Sequence, residues 1–492
     1  MASTKRYFQL PAAGLCLSIT LLACTQSSPG WAAGPPSATP ANAAVATNGP
    51  LRVHPTNSRY FADAAGKAVY LTGMHYWYVF QDSGESLPLQ AFDYAGYLDR
   101  MVALGHNHLR FWTWEHARWT TWGHGNYNDP MPYQRTGPGN ALDGQPKFDL
   151  SRFNQAYFDR MRERVIQARD KGIYATIMFF NGWSVGVKGD EVVDNPWKGH
   201  PYNKANNINN INGDLNNDGQ GYELHELKNP QALEFQKAFI RKVIDTVNDL
   251  DNVMYEISNE SGMESVQWQY ELIRFTRSYI ASKPMKHLIA MTSPDWKGSN
   301  KPLYDSPADW FAPGSLDGFN NDPPPAQGGK PIMADTDHVF GIGGDATWIW
   351  KAFLRGSNTI FMDNLGTDEW EERIRVAMGK TREFALRMNL AATTPRGDLA
   401  STGYMLAHPG VTYLALNPDG GTITIDLSGT SNRFDVSWHD VNSGQTVNAK
   451  SVRGGGNVSL NPPFSGPAVV FLSAATPENQ KPRAFVPIIC VS

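Results

Sequence analysis

The sequence predicts an α/β fold, a (β/α)8 TIM barrel followed by a small C-terminal β-sandwich. Two observations lead there. From residue 51 to about 392, short apolar runs rich in β-branched residues alternate with longer segments of helical period. Beyond the last helix, near Arg387, the period changes to two, with turn residues between short runs.

In chain order, Lys5-Arg6 precedes a short apolar run, LPAAGLCLSITLLA, that ends at Cys24. A basic start, a short apolar middle and small residues at the end describe an export signal over residues 1–24. LLAC resembles the lipobox of bacterial lipoproteins, in which Cys24 carries lipid. A cut near Ala32 or Ala33 would instead release a free periplasmic or secreted protein. Residues 25–50, rich in Pro, Ala, Ser and Gly, read as a tether. LRVHPTNSRYFADAAGKAVYLTG then alternates around the turn DAAGK, a hairpin leading into a buried strand. Eight buried strands are expected in AVYLTG, NHLRFW, YATIMFF, NVMYEIS, HLIAMT, LDGF, PIMAD and NTIFMD. Most are separated by helices, among them AFDYAGYLDRMVALG and FNQAYFDRMRERVIQARDKG, with Gly105 and Gly172 placed as C-caps. TGYMLAHPG, VTYLALNP, GTITIDLSG, RFDVSWHDV, NVSLNP and AVVFLS supply the β-sandwich, residues 393–476, before a tail at 477–492. It is either a structural appendage or a carbohydrate-binding module.

Composition narrows the function. Hydrophobic residues make up 41% and charged residues 18%, with a formal net charge of −4 and no long run of one sign. A phosphate backbone needs a concentrated basic surface, so nucleic acid is not an expected partner. Contact with a membrane is expected only through a lipid at Cys24, and a monomer is the simplest assembly. With Cys16 removed and Cys24 lipidated, Cys490 has no partner, and stability must come from the core.

Barrel enzymes carry their chemistry at the carboxyl ends of the strands. There the fourth strand, VMYEISNESG, ends in Asn259-Glu260, and the seventh, IMADTDH, in Asp335, Thr336, Asp337 and His338. His75 ends the first. Arg110, Trp112 and Trp114 share one face of the second by period two, and Asn181-Gly182-Trp183 ends the third. Facing carboxylates beside an Arg, an Asn and aromatic rings suit glycosidic cleavage. One carboxylic acid protonates the leaving oxygen while a carboxylate attacks the anomeric carbon or activates water. Taken singly, each residue has a plainer reading. Ser258 and Asn259 are good helix caps, Trp112 reads as core, Glu256 as a deep partner for a basic group, and His75 as either a sugar ligand or a core histidine.

YEISNES resembles the fourth-strand signature of the clan of retaining (β/α)8 glycoside hydrolases that includes the family 5 cellulases. The likeness covers roughly residues 51–390. It implies that Glu260 is the acid/base, that Asn259 binds a sugar hydroxyl, and that Arg110 supports the nucleophile. The domain order is similar to the apiosidase-like branch with its "putative collagen-binding" C-terminal domain. The seventh strand departs from the clan, which places Glu there: between Glu264 and Glu369 the only Glu is Glu271. Asp337 is the expected nucleophile or base, with Asp335 orienting it or Arg110. The expected substrate contacts are Asn259, Arg110, His75, Trp114, Asn181, Trp183 and His338.

Residues 184–228 form a long third loop. Asp214, Asn216, Asp218 and Gly219 match the opening of a calcium loop, D-x-N-x-D-G, although position twelve is His225. The alternative is an Asn-rich turn bonded to its own backbone. A structural calcium ion is therefore a candidate, while the proposed chemistry requires no cofactor. His106-Asn107-His108 has zinc-like spacing but sits at the wrong end of its strand. The rival to an exported glycoside hydrolase is a carbohydrate-binding barrel without catalysis.

Overall fold

A computed structural model describes residues 46–119, 126–188, 195–295 and 297–475. The expected signal peptide, Cys24, most of the tether and the C-terminal tail lie outside the described residues.

The barrel is built from β1 (Thr72–His75), β2 (His108–Phe111), β3 (Tyr174–Asn181), β4 (Val253–Asn259), β5 (Ile289–Thr292), β6 (Trp310–Ala312), β7 (Met333–Asp335) and β8 (Asn358–Met362). All neighbouring pairs are parallel, in the spatial order β6-β5-β4-β3-β2-β1-β8-β7. A parallel bridge between Phe311 and Ile332 closes β6 onto β7. Residues of these strands are buried throughout, as expected of strands covered on both faces.

Around them pack α1 (Tyr94–Ala103), α2 (Gln155–Asp170), α3 (Pro230–Val247), α4 (Val266–Ile280), α5 (Lys301–Asp305), α6 (Thr336–Phe340), α7 (Ala346–Leu354) and α8 (Glu369–Leu386). Asp93, Asn154 and Asn229 cap the first three through their side chains. Gly105 and Gly172 follow α1 and α2 with φ of 78° and 73°, the left-handed conformation a C-cap needs.

Two of the expected strands are displaced. LDGF is a 3-10 turn in which Asp317 has φ 68°, and the sixth strand is instead Trp310–Ala312. Only three residues long, that strand is too short for a periodicity to be read. Ala68–Val69 belongs to a small antiparallel sheet with 52–53 and 61–62, so β1 begins at Thr72.

After α8 come a six-stranded antiparallel sheet and a two-stranded one, which share a core around Trp438, Phe434, Ile423 and Ile425. Sequence reading missed the strand Thr446–Arg453, an exposed edge with little alternation. The C-terminal layer also joins the barrel's core. Phe384 of α8 meets Phe471 at 5.6 Å, and Trp350 of α7 meets His439 at 5.3 Å. The described residues accordingly fall in one compact unit. Phe471→Ala, 85 residues beyond the end of α8, is therefore expected to destabilise barrel and β layer together. The loss should be about 3–5 kcal/mol in a single urea transition. Two separate transitions would contradict this coupling.

Candidate active site

The site begins with a backbone turn. β4 stays extended through Asn259, and Glu260 then takes φ 47°, a left-handed conformation that costs on the order of 1 kcal/mol or more outside glycine. The Ser258 and Ser261 hydroxyls bond to each other across the turn. Gly182, after β3, lies against it so closely that a Cβ there would sit 2.1 Å from the Glu260 carbonyl oxygen. Glu260, thus turned out of the strand, accepts a 2.7 Å hydrogen bond at Oε2 from the Trp183 indole.

Across the barrel, Asp335 ends β7 and caps α6. Its Oδ1 accepts the Asp337 amide at 2.9 Å and lies 3.1 Å from His75 Nε2, while Oδ2 is 3.5 Å from Arg110 Nη1. Asp335 is 1% exposed. Burial opposes its charge, but His75, His338 and Arg110 outweigh that and hold the carboxyl well below the usual range. Asp337 differs. Its side chain is partly exposed, and Oδ2 has no hydrogen-bond partner, with Arg110 Nη1 3.9 Å away. Burial and the charge of Glu260 push its carboxyl well up. Parity along an extended strand does not account for this placement, because the chain turns helical at Thr336. The first turn of α6 sets Asp337 at the mouth.

Arg110 lies beside Asp335 and Asp337. Its Nε and Nη2 grip Glu256 at 2.8 and 2.5 Å, and Nη2 also reaches Asn259 Oδ1 at 2.8 Å. His338 Nε2 shares that oxygen at 2.7 Å, which leaves Asn259 Nδ2 without a partner. Arg110 Nη1 is also unbonded. A buried donor without an acceptor is costly, and here two of them accompany the bare Oδ2 of Asp337.

The other candidates divide by exposure. His75, Asn181 and His338 are fully buried and act on neighbours: His75 on Asp335, His338 on Asn259, and Asn181 on the Trp183 amide at 3.0 Å. Trp114, expected at the substrate, is only 4% exposed. It packs with Trp112 and Met178, and its indole is spent on the Trp77 carbonyl. Trp183 is partly exposed beside Glu260.

The D-x-N-x-D run bonds to itself. Asp214 accepts the Asp218 and Gly219 amides, Asn216 donates to Asp218 and Glu223, and Asp218 accepts the Gln220 amide. Among the described residues no group of three or more His, Cys, Asp or Glu is set to hold a metal ion. The expected position twelve, His225, is buried against Glu115 instead.

Sequence reading passed over two residues near the mouth. Lys188 donates to the Gly182 carbonyl at 3.1 Å and lies 5.2 Å from the centre of the Trp183 ring, and burial lowers its ammonium to about 8. Glu115 anchors the third loop.

Residues 119–293 match the model of a family described as a domain of unknown function, DUF6298. No curated protein matches the chain. Among solved structures, one described as a glycoside hydrolase aligns over 87% of this chain and 97% of its own, at 13% identity and TM-score 0.57. A family 5 glycoside hydrolase from Bacteroides vulgatus aligns over 87% and 93%, at 13% identity and TM-score 0.59. What they share with this chain is the fold.

Proposed function

We propose that the protein is an exported, monomeric glycoside hydrolase that cleaves O-glycosidic bonds of a poly- or oligosaccharide with two carboxylates and no cofactor. One observation carries this reading. Glu260 and Asp337, on opposite staves of one barrel, are partly exposed, flank the Arg110 network, and each has its carboxyl pushed up. Such a pair titrates as a unit, since a charge on one disfavours charge on the other. Glycosidic cleavage needs one such group protonated and the other ionised, and mutual repulsion favours that unequal sharing.

Glu260 is the general acid/base, in keeping with its place after Asn259. Asp337, beside Arg110, is the nucleophile or the base that activates water. Asp335 is too enclosed to reach substrate and orients Arg110. The partly exposed Trp183 ring offers a face for the C–H side of a pyranose or furanose. The solved glycoside hydrolases of like fold support the reaction class without indicating the sugar.

The test is hydrolysis of a glycan panel, with NMR detection of the first anomer released to separate attack on carbon from activation of water. Products from no glycan, together with tight glycan binding, would replace the enzyme with a carbohydrate-binding barrel. The pH profile is a second readout. Burial raises Glu260 from 4.5 to about 7. Its proton is present below that value and lost above it, so kcat/KM should fall toward tenfold per pH unit on the alkaline side of about pH 7.

A further inference from the structure

We infer that Glu115 is a positioning residue that fixes the acid/base carboxylate through a chain of hydrogen bonds: Glu115 to Asn181, Asn181 to Trp183, and Trp183 to Glu260. The inference rests on the reading of Glu260 given above and adds a residue outside the carboxylate pair.

Glu115 Oε1 accepts the Asn181 backbone amide at 2.7 Å. Asn181 Oδ1 accepts the Trp183 amide at 3.0 Å, and its Nδ2 donates to the Thr113 carbonyl at 3.2 Å. The Trp183 indole then donates to Glu260 Oε2 at 2.7 Å. The Glu115 amide in turn donates to Ser184 Oγ at 3.0 Å, so Glu115 brackets the segment 181–184 from both ends. That segment has little room to adjust, because Gly182 already touches the Glu260 backbone.

The same carboxylate holds the third loop. His225 Nε2 is 3.1 Å from Oε1 and His200 Nε2 is 3.4 Å from Oε2, each ring fully buried. His225 also stacks on Trp268 at 4.8 Å. The Glu115 side chain is only 11% exposed, and among the described residues it forms ion pairs with these two histidines. Burial opposes charge on Glu115, but His225 and His200 outweigh it and draw its carboxyl down to about 2. A buried carboxylate with this many fixed partners has one available orientation, which it passes on to Asn181. The loop and the acid/base are thereby seated on one side chain.

The experiment reads the Glu260 carboxyl itself, in the full chain without substrate. Protein labelled with ¹³C at Glu carboxyls is titrated by NMR, the Glu260 signal being assigned by its loss in Glu260→Gln. Other charges facing Glu260 are Arg110 from β2, Lys188 from the third loop, Asp295 after β5, and Asp335 and Asp337 from β7 and α6. None of these is altered by the variants. Trp183→Phe removes only the indole donor and should raise the Glu260 midpoint by about one pH unit.

Glu115→Asp keeps the charge but falls one methylene short of Asn181, and should reproduce that rise. Glu115→Gln keeps the reach through its carbonyl oxygen and should leave the midpoint near that of the wild type. Glu115→Asp in the Trp183→Phe background should add nothing further. A Glu260 midpoint unmoved by Glu115→Asp, or a shift additive with Trp183→Phe, overturns the inference. If no glycan is hydrolysed but these midpoints behave as stated, the positioning holds and the catalytic reading fails.

Discussion

Asp337→Asn is expected to abolish turnover, at least 10³-fold in kcat, while making the folded protein more stable. Asp335→Asn, two residues away, should do the reverse, losing stability first and activity only in consequence. The first loss follows from removing the nucleophile or base, since one positioned proton-transfer group alone contributes 10²–10⁴-fold. The stability effects follow from the opposite directions of the two carboxyls. A carboxyl raised in the folded state opposes folding once pH exceeds its unfolded value, and Asp337 is raised by burial and by Glu260. Neutralising it should therefore stabilise the protein by on the order of 1 kcal/mol or more at pH 8, a gap that closes as the pH falls toward 4. Asp335 is depressed, with His75, His338 and Arg110 outweighing its burial. Its contribution is present above an ordinary aspartate pKa of about 4 and is lost as pH falls below it. Asp335→Asn should thus cost about 2–4 kcal/mol at pH 7, by loss of a buried ion-pair partner. Urea unfolding at pH 5 and pH 8 beside kcat measurements decides the matter. An Asp335→Asn protein that is stable and inert, with an active Asp337→Asn, would exchange the two roles.

The sequence disclosed the barrel because its long strands, β3 and β4, are buried on both faces and its long helices keep a clear period. It failed at β6, where Trp310–Ala312 is too short to carry any period. The same division holds in the site. Glu260, Asn259 and Arg110 were legible because each stands on, or one residue beyond, a regular strand, where alternation fixes direction. Asp337 was expected at the mouth by a parity argument that α6 invalidates; the first turn of that helix leaves its side chain more exposed than that of Asp335. Trp114 was misplaced because the chain continues past β2 as irregular backbone, where period two no longer governs which face a ring takes. Glu115 was invisible for a different reason. Its partners Asn181, His200 and His225 are 66 to 110 residues away, and only the folded third loop brings them together. Local pattern predicts which element a side chain belongs to, and cannot predict a bond made by loop closure.

Glu256→Gln should be the most destabilising single change in the site, although Glu256 touches no substrate in the proposed chemistry. Its carboxylate is fully buried and takes two hydrogen bonds from Arg110, which is itself 2% exposed. Breaking a buried pair from one side leaves the other charge partly uncompensated, a loss of about 3–5 kcal/mol. Here the outcome has a second part, because Arg110 is shared. Its guanidinium is divided among Glu256, Asn259, Asp335 and Asp337. With Glu256 neutral, more of that positive charge falls to Asp337, whose carboxyl Glu256 itself helps to raise. Asp337 should then ionise at lower pH, so the acid side of the pH–rate profile moves down while its alkaline side, set by Glu260, moves less. Arg110→Met/Glu256→Gln should not restore stability. Removing both partners still leaves Asp335 and Asp337 without the Arg110 charge, unlike a simple ion pair replaced by apolar groups. Thermal or urea unfolding at pH 7 measures the first effect, and kcat/KM between pH 4 and 7 the second. A Glu256→Gln protein of unchanged stability would mean that Arg110 is not the shared centre of charge on which both strand ends depend.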